Sequence, residues 1–177
     1  MQEVYLDYAA STPVDDRVLK VMLPWFTQNY GNPSSLHLKG QIASEAVQKS
    51  RQSIAKLLNC FSNEIVFTAT GTESVNLALQ GVAHALKNRG NHIITQSTEH
   101  HAVIHTIKHL ESQGFSVTYL KPDKFGAITP EQVVAVITPK TILCSIMYAN
   151  NEIGTVQPVK DIAQVCKNNN VVFHSDA

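Results

Sequence analysis

The chain has 177 residues, 44% of them hydrophobic and only 16% charged, which is enough apolar material for one globular domain with an arm and excludes a disordered tail. Lys plus Arg and Asp plus Glu number 14 each, so no net field draws the chain to nucleic acid or to an anionic membrane surface, and only a local patch remains for such partners. The three cysteines, Cys60, Cys144 and Cys166, form no C-x-x-C pair, which leaves packing as their default role and points to neither a redox dithiol nor a zinc knuckle.

At the N-terminus no basic leader precedes an apolar stretch, and no apolar run approaches the ~20 residues of a membrane span. The expectation is a soluble protein of the reducing cytoplasm. Residues 3–8 read as a short extended arm ending in a small-residue turn, Ala9-Ala10-Ser11-Thr12-Pro13. A helix from about Asp15 to Tyr30 follows, with Val18, Met22 and Phe26 on one side and Pro24 as the expected kink. Gly31-Asn32-Pro33-Ser34-Ser35 is a loop by every local rule, either a plain connector or, leading into His37, the lining of a site mouth. Residues 41–59 give a long amphipathic helix through Ile42, Ala46, Ile54, Leu57 and Leu58.

The segment Thr68-Ala-Thr-Gly-Thr-Glu-Ser-Val-Asn76 lies between the apolar run Ile65-Val66-Phe67 and a helical pattern carried by Val75, Ala78, Leu79, Val82 and Leu86. Such a strand-to-helix turn offers unpartnered N–H groups, the positive end of a helix dipole and close backbone approach at Gly71, all of which favour an anion. Taken alone, it is more simply explained by Thr70 or Thr72 capping a helix, and only context favours an anion site.

From there the chain alternates. Strand 64–68, helix 72–88, strand 92–95, helix 100–113, strand 116–120, helix 129–137, strand 141–148, helix 158–168 and strand 171–174 predict a three-layer α/β/α fold around a mostly parallel sheet. Ligands bind such sheets at the carboxyl ends of the strands. Gly71-Thr72, Glu99-His100, Asn150-Asn151-Glu152 and His174 with Asp176 all fall at that rim.

On the helix beginning near His100, Val103, Ile107 and Leu110 mark the buried side. His100 projects near that stripe and is expected to be the inward histidine, while His101, His105 and His109 form an opposite stripe. That stripe is either a solvated face or, less economically, a zinc or nickel chelate; no carboxylate or cysteine completes it, so no metal is assigned.

Tyr5-Leu6-Asp7-Tyr8-Ala9-Ala10-Ser11-Thr12-Pro13, Gly31-Asn32-Pro33-Ser34-Ser35, Gly71-Thr72-Glu73-Ser74, Thr98-Glu99-His100 and Ala149-Asn150-Asn151-Glu152-Ile153-Gly154 together resemble the successive signatures of the class V aminotransferase family. They are most similar to its cysteine desulfurases of the NifS/IscS type, in the family's order and spacing and over the whole chain. The resemblance implies a pyridoxal 5′-phosphate enzyme of fold type I. It places Gly71 and Thr72 on the cofactor phosphate, His100 on the pyridine ring with a part in proton handling, Asn151 on the phenolic oxygen and Asp176 on the pyridine nitrogen. Thr70 stands where relatives usually carry glycine.

By the same resemblance, residues 1–13 are an N-terminal arm and 14–177 the N-terminal part of a cofactor-binding large domain. The lysine that holds the cofactor covalently, the arginine for the substrate carboxylate and the sulfur-accepting cysteine belong to a further half of the family fold. The implied substrate is L-cysteine, and the implied partners are a second copy or a complementary C-terminal chain, and a sulfur-acceptor protein for iron–sulfur cluster assembly or thiolation. Two other readings stand beside it: another class V enzyme, such as a selenocysteine lyase or an aminotransferase, and a non-catalytic binding or scaffold remnant.

Overall fold

The computed structural model describes residues 3–177, so the first two positions of the expected arm lie outside the described residues. The chain divides into two compact units that part between Phe67 and Thr68.

In the first unit, residues 3–7 are exposed and lack regular structure, and a turn follows at 8–10. Helix α1, Asp16–Thr27, starts where Asp15 accepts from Arg17 N–H, and it contains Pro24. None of its residues is buried, although Val18, Met22 and Phe26 recur on one side. Helix α2, Leu38–Leu58, begins three residues before the expected start. His37 is the cause, because its Nδ1 accepts from Gly40 N–H at 3.4 Å and caps the helix there. Backbone approaches backbone so closely at Gly31 and Gly40 that a β-carbon on either would collide with a carbonyl, of Lys39 and Ser35 respectively. Asn59 in the left-handed region closes α2, and a single 3-10 turn, Ser62–Glu64, follows.

The strand expected at 64–68 does not form. No neighbouring strand offers it a ladder among the described residues, and an apolar run without partners remains irregular. Val66 and Phe67 are exposed, with the Arg51 guanidinium 4.9 Å from the Phe67 ring centre.

The second unit carries the sheet. Its elements are α3 (Gly71–Ala85), β1 (His92–Gln96), α4 (His101–Ser112), β2 (Ser116–Leu120), α5 (Pro130–Val136), β3 (Thr141–Ser145), α6 (Val159–Asn168) and β4 (Val172–His174). The four strands are all parallel in the order β2-β1-β3-β4. The chain therefore moves outward from β1 to β2, crosses back over β1 to β3, and continues to β4, so the order reverses between β1 and β3. Helices cover both faces. Val75, Leu79 and Ala83 of α3 and Val103, Ile107 and Leu110 of α4 pack with Ile93 and Leu143 on one side. Val133 of α5 and Ile162 and Cys166 of α6 pack with Ile94, Leu120 and Cys144 on the other. An irregularity where β1 meets β3 lets Ile142 join Leu143 in the first of these clusters, as an extra residue in one strand does. Strand β3 is shorter than the expected 141–148 because residues beyond Ser145 leave the β1 ladder, although Ile146 and Tyr148 still donate to His174 and Asp176 carbonyls.

Candidate active site at the carboxyl rim of the sheet

The reversal between β1 and β3 makes a crevice at the strand carboxyl ends, where such sheets bind ligands. A cleft of about 340 Å³ opens at this rim, lined by Gly71, Thr72, Val75, His100, Ala102 and Asp176. Four of the five residues singled out in the sequence are thus brought together. Asn151 is not among the lining residues; it sits exposed on the turn after β3, and its Nδ2 donates to Glu152 at 3.1 Å.

At one wall the start of α3 presents donors. Thr70 is the cap: its Oγ1 accepts from Glu73 N–H at 3.1 Å, its carbonyl from Ser74 N–H, and Glu73 Oε2 accepts from Ala69 N–H at 2.6 Å. The N–H groups of Gly71 and Thr72 have no acceptor among the described residues, as the opening of a helix dictates. Thr70 has φ −151° and ψ 160°, extended backbone open to any residue, so the threonine in place of the family's glycine leaves the turn intact and adds a cap. A β-carbon at Gly71 would meet nothing within 4 Å, which shows that the protein's own packing leaves the space before this backbone open.

His100 is the cap of α4, with Nδ1 accepting from Ala102 N–H at 3.1 Å. It is exposed at the cleft rather than turned into the core as the helical projection suggested, because a capping residue has left the helical path. With Nδ1 an acceptor, the neutral ring carries its proton on Nε2. His101, His105 and His109 are exposed along α4; the first two rings lie 5.8 Å apart, and among the described residues no group of three or more metal-ligating side chains forms.

Asp176 continues the line of β4, and its carbonyl accepts from Tyr148 N–H at 2.8 Å. Below it, His174 Nδ1 pairs with Ser145 Oγ at 2.9 Å, and burial lowers the His174 pKa while Asp176 acts in the opposite sense.

A second layer of polar side chains, whose individual roles the sequence did not disclose, sits buried under the rim. Glu99 Oε1 accepts from Met147 N–H at 2.7 Å and from Gln96 Nε2 at 2.9 Å. Burial pushes the Glu99 carboxyl up to about 7; the bonds from Met147 and Gln96 pull it down, and Asp176 adds to the rise. Gln157 accepts from Ile128 N–H at 2.8 Å and donates to the Gly126 carbonyl at 2.7 Å. Asn150 Nδ2 donates to the Thr98 carbonyl, and its Oδ1 accepts from Glu152 and Ile153 N–H, so Asn150 fixes the loop that presents Asn151. The available signal was Gln96 directly after the apolar run Ile93-Ile94 and Thr95; the whole strand is buried, and a buried polar residue requires a partner.

The donor set suits pyridoxal phosphate. Its lining combines N–H groups without an acceptor and a threonine at a helix start, as a phosphate requires, with an acidic side chain that suits a ring nitrogen and a flat imidazole.

The Aminotransferase class-V family model matches residues 4–177. The chain is 49% identical over 176 residues to cysteine desulfurase IscS of Clostridium botulinum (strain Kyoto / Type A2), a match covering 99% of this chain and 44% of that relative. Among solved structures, it is similar to a NifS-like protein at TM-score 0.96 and 42% identity, covering 99% of this chain and 49% of the other. A structure of SspA in complex with cysteine gives TM-score 0.93 and 44% identity, covering 97% of this chain and 49% of the other. The chain thus spans less than half the length of these relatives.

Proposed function

The chain belongs to the class V aminotransferase family, and on that premise we propose that it forms the N-terminal half of a pyridoxal 5′-phosphate-dependent cysteine desulfurase, which converts L-cysteine to L-alanine and passes the sulfur on as an enzyme persulfide. The observation that carries the proposal is the meeting of Gly71, Thr72, His100 and Asp176 in one cleft at the switch point of a parallel sheet. Pyridoxal phosphate, when bound, supplies an electron sink for bonds at the substrate α-carbon.

The chain's own residues hold and orient. Gly71 and Thr72 N–H groups with the Thr72 hydroxyl receive the phosphate, where the helix dipole adds about half a positive charge. His100 provides the ring wall, with Nε2 as the nitrogen left to move a proton. Asp176 keeps the pyridine nitrogen protonated, since a nearby opposite charge favours the charged form. Asn151 is assigned to the phenolic oxygen, on a loop that Asn150 anchors. Residues 14–177 act as the N-terminal part of a cofactor-binding large domain behind an arm at 1–13. The covalent lysine, the substrate-binding arginine and the sulfur-accepting cysteine are assigned to sequence outside these residues.

Substrate assignment is supported by the cysteine in the complex with the SspA relative and by the name of the IscS relative. A homodimer or a complex with a complementary C-terminal chain, and delivery to a sulfur-acceptor protein in the cytoplasm, complete the reading. Helix α1, with no buried residue and Val18, Met22 and Phe26 exposed, supports the need for further chain to cover it. Among the described residues no helix is long and apolar enough to cross a membrane.

The test is to produce the chain alone and together with the C-terminal half of its IscS relative, then follow alanine and sulfide release from L-cysteine in the presence of pyridoxal phosphate. Activity is expected only in the combined preparation, and Asp176→Asn should lower it by about 10²–10³-fold. Binding of pyridoxal phosphate without any turnover of cysteine would refute the desulfurase assignment.

A further inference from the structure

Strand β1 ends at Gln96, and Ser97 N–H turns to the Leu120 carbonyl on the β2 side. On the β3 side, Ile146 and Tyr148 N–H are engaged by β4, which leaves Met147 N–H facing the gap where β1 has departed. Glu99 fills that gap. Its Oε1 lies 2.7 Å from Met147 N, the place a strand carbonyl would otherwise take, and 2.9 Å from Gln96 Nε2. Its other oxygen, Oε2, is buried and has no hydrogen-bond partner among the described residues.

A carboxylate buried in this way needs a cation or a proton. No cation is at hand, since the two ion pairs among the described residues are Arg17 with Asp15 and Lys49 with Glu45. The titratable groups that act on Glu99 or on its neighbours are Asp176 and His174 beyond β3, Cys144 on β3 and Cys166 on α6. Burial keeps His174 neutral, and the Cys144 thiol is raised by its hydrogen bond with Cys166 and by burial. The neighbour that acts on Glu99 through charge is therefore Asp176, and it favours the acid form of Glu99. Two carboxylates at one rim do not ionise together without pushing one of them toward its acid form.

We propose that Glu99 is a positioning residue that works as the neutral acid. Oε1 replaces a strand carbonyl and fixes the β1–α4 turn, with His100 at its end, against β3. The proton on Oε2 leaves Asp176 as the ionised carboxylate of the cleft. The clamp stands on the geometry alone, whereas the service to Asp176 rests on the pyridoxal phosphate reading of the cleft.

Infrared spectra of the full chain without cofactor, compared between wild type and Glu99→Gln, test the proton directly. A protonated-carboxyl band is expected near pH 6 in the wild type, titrating out around 7 and missing from Glu99→Gln. Pyridoxal phosphate titrations of the chain joined by its complementary C-terminal half test the positioning. Glu99→Ala should weaken binding at least tenfold, and Glu99→Gln, which keeps the acceptor and places an N–H where the acid has its O–H, should recover most of it. Absence of the band near pH 6 overturns the proposal, as does a loss of binding in Glu99→Ala that Glu99→Gln fails to recover. A band with no effect of any Glu99 variant on cofactor binding keeps the neutral acid but overturns its service to Asp176; failure of the wild type itself to bind pyridoxal phosphate would instead count against the reading of the cleft.

Discussion

Ser145 Oγ and His174 Nδ1 lie 2.9 Å apart across the ladder between β3 and β4, in the register row that also holds Thr95. The pair locks the imidazole two residues before Asp176, on the same side of an extended chain. Burial lowers the His174 pKa, so the ring is neutral in the folded protein at neutral pH and needs one acceptor and one donor partner. Ser145→Ala leaves a half-buried ring nitrogen unpaired and should cost about 1–2 kcal/mol in a urea unfolding experiment at neutral pH. The sign of the pH response follows from the lowered value. The stability contributed by the neutral ring is present above its ordinary 6.5 and is lost as pH falls through the folded value.

Glu99 has the opposite sign. Its folded value of about 7 exceeds the ordinary 4.5, so the folded state binds the proton more tightly than the unfolded chain. The stability linked to that proton is complete below 4.5 and disappears as pH rises to about 7, a span worth about 3 kcal/mol. The difference in unfolding free energy between wild type and Glu99→Gln, which has no such proton, should shift against the wild type across that window. A difference that is flat from pH 4.5 to 7 would mean that the carboxyl is ionised in the folded state.

The periodicities placed the helices and four strands to within a few residues; in the sheet unit this is because the apolar faces pack inside the chain itself, as with Val103, Ile107 and Leu110 on α4, whereas α1 keeps its periodicity with no residue buried. The exception is 64–68, whose apolar residues form no ladder here; a run of Ile, Val and Phe specifies a preference for extended backbone, and pairing comes from elsewhere. Gly71, Thr72, His100 and Asp176 were legible as rim residues because helix starts and strand ends carry local signatures. The bonds of Glu99 to Met147, Gln157 to Ile128 and Ser145 to His174 were not, since each joins residues distant in sequence and no local spacing announces it.

Gln157 should be the costliest of these to replace with an apolar residue. It is 3% exposed and joins the Ile128 N–H to the Gly126 carbonyl. Gln157→Leu keeps the bulk but leaves both backbone groups buried without partners, at about 1–3 kcal/mol each. The thermal midpoint should fall more than for Ser145→Ala. Gln157→Glu retains the acceptor for Ile128 and should be intermediate at low pH.

Thr70 separates the demands of folding from those of the cleft. Loss of its Oγ1 bond to Glu73 N–H in Thr70→Ala should destabilise α3 by about 1 kcal/mol, whereas Thr70→Gly should cost only a few tenths. Neither removes the Gly71 or Thr72 N–H groups, so pyridoxal phosphate affinity in the assembled protein should change little for both. Thr72→Val should do the reverse, weakening cofactor binding while leaving the unfolding midpoint near that of the wild type.

Asp176 is where charge and shape can be parted most cleanly. Its carbonyl holds Tyr148 N–H and its side chain lines the cleft, so Asp176→Asn preserves the backbone bond and the volume while removing the charge. If the carboxylate keeps the pyridine nitrogen protonated, its loss weakens the electron sink at the moment negative charge develops, and groups of this kind are worth ~3–4 kcal/mol. Turnover of L-cysteine in the assembled enzyme should drop by about 10²–10³-fold. Cofactor affinity should fall much less, because the donors at Gly71 and Thr72 are untouched. Both quantities are measurable on one preparation, alanine formation for the first and titration of cofactor absorbance for the second. Near-normal turnover in Asp176→Asn, with Thr72→Val or His100→Ala inactive, would show that the charge at Asp176 does not serve the electron sink.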